Sequence, residues 1–146
     1  MKKNRRSFLK YSALGALFLS TAPVRAGSRN PVFSTGQKPV VISTWAHGIP
    51  ANLAAWKILS EGGRSLDAVE AGVRVSEGDP QERSVGYGGL PDRDGRVTLD
   101  ACIMDHAGNL GAVACLEEVV HAVSVARRVM EKTPHVLLVG EGARLF

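Results

Sequence analysis

Side chains able to do chemistry are thinly spread in this sequence, and their spacing excludes more than it suggests. His47, His106, His121 and His135 lie far apart with no paired ligand spacing, so no zinc site is expected and each reads as a surface or turn histidine. Gly86, Gly88 and Gly89 form a glycine cluster without the lysine or the strand-to-helix setting that a phosphate-cradling loop needs, so it reads as a tight turn. The strained Gly-x-Ser-x-Gly turn that exposes a nucleophilic serine does not occur. Asp92 and Asp94 begin like a calcium loop, but the spaced ligands and distal glutamate do not follow, and a turn is expected. Cys102 and Cys115 are the only thiols. From residue types and spacing alone, no nucleophile–base pair, metal or cofactor site emerges.

The elements that must position these residues follow from periodicity. Pro-Val-Val-Ile-Ser-Thr at 39–44 is short and β-branched, a buried strand. Over 52–60, Leu53, Trp56 and Leu59 with Ala54, Ala55 and Ile58 share one helical face, and Gly62-Gly63 supplies a stop. Ser65 is placed to cap a second helix, with Asp67 in its first turn and Leu66, Val69 and Val73 as its apolar stripe, ending near Gly78-Asp79-Pro80. Val97, Leu99, Ala101 and Ile103 alternate with Thr98, Asp100, Cys102 and Met104, a strand that turns at 105–109 and returns over 110–116. A two-residue turn at Gly108-Asn109 sets Cys102 opposite Cys115; a disulfide is possible there, and two buried thiols are the expectation. Residues 124–132 resume helical spacing through Val125 and Val129, with Arg127 and Arg128 on another face, until Pro134 ends the helix. A short strand at 135–139 leads into a helix that has barely begun at Phe146, from which an incomplete protein is expected.

Charge narrows the partners. The chain has 146 residues, with 18 Lys and Arg against 14 Asp and Glu. Lys2, Lys3, Arg5, Arg6, Lys10 and Arg25 all precede residue 27 and no acid does, so the remainder carries 12 basic and 14 acidic side chains. That balance gives no reason to expect a nucleic-acid partner. Asn-Arg-Arg-Ser-Phe-Leu-Lys at 4–10, an apolar run over 11–19 and Val-Arg-Ala at 24–26 make an export signal over 1–26. The apolar run is too short for stable membrane insertion, and the paired arginines resemble the bacterial twin-arginine address, with Asn4 where Ser or Thr is usual. A periplasmic or secreted protein is expected, with a flexible mature N-terminus over 27–38 and one α/β domain over 39–146.

Several segments, taken in order, resemble one family. They are Val-Ile-Ser-Thr-Trp at 41–45, Ala-Trp-Lys-Ile-Leu at 55–59, Gly-Gly-Arg-Ser-Leu-Asp-Ala-Val-Glu at 62–70, and Ser-Val-Gly-Tyr-Gly-Gly at 84–89. Pro-Asp-Arg-Asp-Gly at 91–95, Thr-Leu-Asp-Ala-Cys-Ile-Met-Asp at 98–105, Ser-Val-Ala-Arg at 124–127 and Glu-Lys-Thr-Pro-His-Val-Leu-Leu-Val-Gly at 131–140 continue the series. The ordered set is similar to the N-terminal half of glycosylasparaginases (aspartylglucosaminidases), which are N-terminal-nucleophile hydrolases. Plant-type asparaginases typically open with a strand and His-Gly-Gly, where Ser43-Thr44-Trp45 stands here.

The resemblance implies a four-layer αββα sandwich, incomplete in this chain, made from a precursor that cuts itself into α and β subunits. It implies an amidohydrolase acting on glycosylated asparagine, without a cofactor. A threonine freed at the β N-terminus attacks the side-chain amide with its own α-amine as base, an oxyanion hole stabilising the intermediate. That threonine follows His-Asp, and none of Thr21, Thr35, Thr44, Thr98 and Thr133 does. The catalytic residues are therefore expected outside this chain, which by itself is expected to be inactive and to need a β subunit from the same precursor, within a dimer of αβ units. Trp45 matches the tryptophan lining the family's pocket beside the nucleophile, and Ser84 matches a serine near the processing site. Ala46-His47 departs from relatives, which commonly carry Phe at the second position, and this bears on leaving-group preference. The alternatives are an L-asparaginase or isoaspartyl peptidase of the same superfamily, and a non-catalytic exported module binding a small ligand.

Overall fold

The computed structural model describes residues 38–146. The signal over 1–26 and the mature N-terminus over 27–37 lie outside the described residues. Five helices and strands of ordinary length carry the fold, closed by a short strand and a short helix. Helix α1 spans Gly48–Ser60 and α2 spans Ser65–Gly78. A single 3-10 turn at Gly86–Gly88 follows, then β1 over Leu99–Met104 and β2 over Leu110–Leu116. Helix α3 over Ala122–Lys132, β3 over Leu137–Val139 and α4 over Gly140–Leu145 complete the chain.

The sheet has the order β1-β2-β3, antiparallel between the first two strands and parallel between the last two, with α3 as the crossover. This mixed α/β architecture agrees with the class expected, and its three strands form one sheet of the expected sandwich. Ile103, Val113 and Leu116 from the sheet meet Ala122, Val123, Ala126 and Val129 of α3 in the core, with Ala143 of α4. Removing Leu116, Val113, Val123 and Val129 from water contributes on the order of 2 kcal/mol each. The helix lies unusually close to β2 because Gly111 has no side chain: a Cβ there would meet the Ala126 carbonyl oxygen at 2.1 Å.

Several expectations for the first strand and the first two helices are corrected. Residues 39–44 form no strand: no described strand lies beside them, and Val40 and Ile42 are 73% and 85% exposed. Helix α1 starts at Gly48 rather than 52, with Pro50 in its first turn, where a missing N–H costs nothing. Its buried residues are Gly48, which lies against Ser43, and Ala51 and Ala55, which lie against Gly72 of α2, while Leu53 and Trp56 point outward. Helix α2 is rotated likewise: Ala68, Gly72, Ser76 and Glu77 are buried, Val69 and Val73 are exposed, and Ser65 is the first helical residue rather than the cap. Two small-residue faces let the helix axes approach closely, and that geometry outweighs the burial of larger apolar side chains elsewhere on each helix.

The hairpin forms as expected, but in a different register. Its connection is the five-residue loop at 105–109, where Asp105 Oδ1 accepts the Ala107 and Asn109 amides, each at 2.9 Å. Cys102 therefore pairs with Ala112. Between Leu99 and Ala101 the ladder shifts, because both Ala114 and Cys115 face Asp100 in a bulge with Cys115 in the left-handed region at φ 51°. Asp100 Oδ1 holds this bulge by accepting the Cys115 amide at 2.8 Å. Both cysteines are free and exposed, neither bridged nor buried.

Candidate functional site

A cavity of about 660 Å³ opens where residues 42–44, the start of α1, the glycine-rich loop and the start of β1 converge. Thr44, His47, Glu77, Ser84, Gly86 and Asp100 are among its lining residues. Trp45 does not itself line the cavity, although Thr44 beside it and His47 two residues on both do.

Trp45 is 75% exposed and sits at φ 65°, in the left-handed region that a bulky residue rarely adopts. Strain of this kind costs about 1–3 kcal/mol and concentrates at binding and catalytic positions. The turn is held because the Trp45 carbonyl accepts the Gly48 amide at 3.2 Å and the Ala46 carbonyl accepts the Ile49 amide at 3.1 Å. The indole stands edge-on to the His47 ring, centroids 5.8 Å apart. Trp45 joins no core cluster of the described residues.

Ser84 reaches the same cavity from the loop between α2 and β1. Its hydroxyl donates to Glu82, and its amide donates to the same Glu82 oxygen at 2.9 Å. The other Glu82 oxygen faces His47 Nδ1 at 2.9 Å. The hydrogen bonds from Ser84, hydroxyl first and amide second, hold the Glu82 carboxyl below the usual range. The loop seats against α2 because Gly86 lies at φ 65° and a Cβ there would meet the Glu77 carbonyl oxygen at 2.1 Å. Its glycines thus serve close backbone packing, as their spacing indicated.

Glu77 is the buried ionisable group of the cavity wall, 5% exposed. Its Oε1 accepts the Val123 amide at the start of α3, 2.9 Å away. Oε2 lies 3.5 Å from His121 Nδ1, and neither atom has a hydrogen-bond partner. Burial pushes the Glu77 carboxyl up to about 7, and burial, seconded by the charge of Arg74, pushes His121 down. His47 and His121 are thus half-buried partners of carboxylates rather than free surface histidines. Among the described residues, no three His, Cys, Asp or Glu side chains are grouped to hold a metal ion, and no helix is long and apolar enough to cross a membrane. Asp92 makes a turn, accepting the Asp94 and Arg96 amides.

The resemblance singled out Trp45 and Ser84, whereas Glu82, which links the two segments that carry them, was not singled out from the sequence. The Glu-x-Ser spacing of Glu82 and Ser84 is a local signal of side-chain-to-backbone hydrogen bonding. The His47 partner, in a distant part of the chain, left no such signal.

The mixed α/β scaffold thus sets His47, Glu77 and Ser84 at the wall of a cavity, with the exposed, backbone-strained Trp45 next in sequence to the lining residue Thr44. A family model described as asparaginase matches residues 47–146, and the chain belongs to that family. It is 56% identical over its whole length to an N(4)-(beta-N-acetylglucosaminyl)-L-asparaginase of Elizabethkingia miricola, of which it spans 44%. It is 48% identical over 74% of its length to the mouse protein of the same name, spanning 31% of it, and 47% identical to the rat one, also spanning 31%. The chain therefore covers less than half the length of these curated relatives.

Proposed function

We propose that this chain is the N-terminal, α-subunit part of an amidohydrolase that cleaves the amide joining N-acetylglucosamine to the side chain of asparagine. The observation that carries this reading is the 56% identity, across the whole chain, to a bacterial protein named for that activity. The exposed Trp45 indole, carried on a strained backbone next to the cavity-lining Thr44, supports it as a surface for the substrate. In this reading the nucleophilic threonine comes from a β subunit of the same precursor, released by self-cleavage, and αβ units pair into dimers. The residues of this chain bind and orient: Trp45 flanks the substrate, and Ser84 stands near the cleaved junction. No step here calls on a cofactor.

The test is hydrolysis by the product of the complete reading frame that contains this chain, comparing N4-(β-N-acetylglucosaminyl)-asparagine with asparagine and a β-aspartyl dipeptide. Preference for the first supports the reading; preference for either other assigns a different branch of the family. Export by the twin-arginine route to the periplasm belongs to the same proposal and rests on Arg5-Arg6 and the following apolar run. Replacing both arginines with lysine is expected to keep the protein in the cytoplasm, and unchanged export would contradict it.

A further inference from the structure

Two segments far apart in sequence bring the site residues together, and one carboxylate joins them. Trp45 and His47 belong to the turn that enters α1, and Ser84 belongs to the loop that follows α2. Between them lies Glu82, its side chain 17% exposed, with one oxygen taken by the amide and hydroxyl of Ser84 and the other by His47 Nδ1. The His47 side chain is 26% exposed, so this pair is partly shielded from water. Its backbone is tied to α2 as well, its carbonyl accepting the Ser76 hydroxyl at 3.4 Å. Glu82 is itself anchored: its amide donates to the Asp79 carbonyl at 3.2 Å, and the next peptide accepts the Leu90 amide at 3.2 Å.

We propose that Glu82 is the positioning residue of the site, setting the placement of the Trp45–His47 wall relative to Ser84. This rests on the reading that Trp45 and Ser84 border the substrate. A carboxylate only accepts hydrogen bonds, so the histidine nitrogen facing it must carry a proton. That orders the His47 ring, and the ring edge in turn orders the exposed indole. The two oxygens therefore have separable duties. Glu82→Gln keeps one oxygen, which continues to serve Ser84, and turns an NH₂ toward His47, which cannot accept from Nδ1–H. Glu82→Ala removes both duties.

The experiment is heteronuclear NMR of the full chain, reading the Ser84 amide, the His47 ring nitrogens and the Trp45 indole, with the Val123 and Val129 amides reporting on the fold. In the unsubstituted chain His47 is expected with Nδ1 protonated. In Glu82→Gln the Ser84 amide is expected to stay in place while the His47 proton moves to Nε2 and the Trp45 resonance shifts. In Glu82→Ala the Ser84 amide moves as well; if that variant fails to fold, Glu82→Gln decides alone. His47 and Trp45 signals unmoved in Glu82→Gln overturn the proposal. In the enzyme from the complete reading frame, Glu82→Gln is expected to raise KM about tenfold with kcat changed less than about twofold, the mark of lost binding rather than lost chemistry. NMR coupling in a protein that hydrolyses no glycosylated asparagine would sink the proposed activity and leave the positioning role standing.

Discussion

At the scale of single residues, two ionisable clusters set opposite pH dependences. Glu77 binds its proton more tightly in the folded chain than in the unfolded one, from an ordinary 4.5 up to about 7. Its contribution is therefore fully present below pH 4.5 and is lost as pH rises through about 7, by about 3 kcal/mol at most. Its charged and titratable neighbours are His121, Arg74 and Glu70. Glu77→Gln keeps the acceptor for the Val123 amide, so the expected outcome is a flatter stability profile between pH 5 and 8, read by urea unfolding. Arg127 works in the other direction. Its guanidinium, 14% exposed, reaches Glu70 at 2.6 Å, Asp67 at 2.7 Å and Glu131 at 2.8 Å, joining α3 to α2. Hydrogen bonds from Arg64 and Arg127 hold Asp67 well below the usual carboxylate range. Burial pushes Glu70 upward, but bonds from Ser124 and Arg127 outweigh it and leave it lowered. Stability from these two acids is present above their unfolded pKa values and is lost as pH falls below about 4. Arg127→Met is expected to cost about 2 kcal/mol at pH 7 and to flatten the acid limb of the same profile. The sequence showed Arg127 only as part of a face shared with Arg128, because periodicity assigns a side and not a partner.

At the scale of elements, the glycine-rich loop leaves no room for a side chain at Gly86. Gly86→Ala places a Cβ against the Glu77 carbonyl in a left-handed residue, and about 3 kcal/mol of destabilisation is expected in chemical unfolding. The hairpin makes a second prediction. With Cys102 opposite Ala112 and Cys115 in the bulge, two thiols should react with a thiol reagent in the native chain without prior reduction. A single bridged species would contradict the register. Helices α2 and α3, the hairpin, the stop at Gly62-Gly63 and the end before Pro134 were legible in the sequence, since period and punctuation are local properties. The buried faces of α1 and α2 were not. Ala51, Ala55 and Gly72 carry little apolar surface, yet they permit the close approach of two helices, so ranking residues by hydrophobicity chose Leu53, Trp56, Val69 and Val73 instead. The register was missed because the connection is a five-residue loop at 105–109 rather than a two-residue turn at Gly108-Asn109, a difference that strand alternation does not signal.

At the scale of the whole molecule, the site is assembled from pieces that meet only in the folded chain: the turn before α1, the loop after α2 and the start of β1. Trp45 and Ser84 were singled out through resemblance rather than through residue chemistry, and in the structure the segments that carry them are joined through Glu82. The family places the chain among asparaginases, while the cleavage of glycosylated asparagine remains the proposal to be tested. The most direct measurement is aspartate release from N4-(β-N-acetylglucosaminyl)-asparagine by the product of the complete reading frame, with and without Trp45→Ala. Circular dichroism of the variant accompanies the assay, so that a lost fold is told apart from a lost contact. The expected result is faster turnover of this substrate than of asparagine or a β-aspartyl dipeptide, with kcat/KM falling at least about tenfold in Trp45→Ala. No release from the glycosylated substrate, or release indifferent to Trp45, would contradict it.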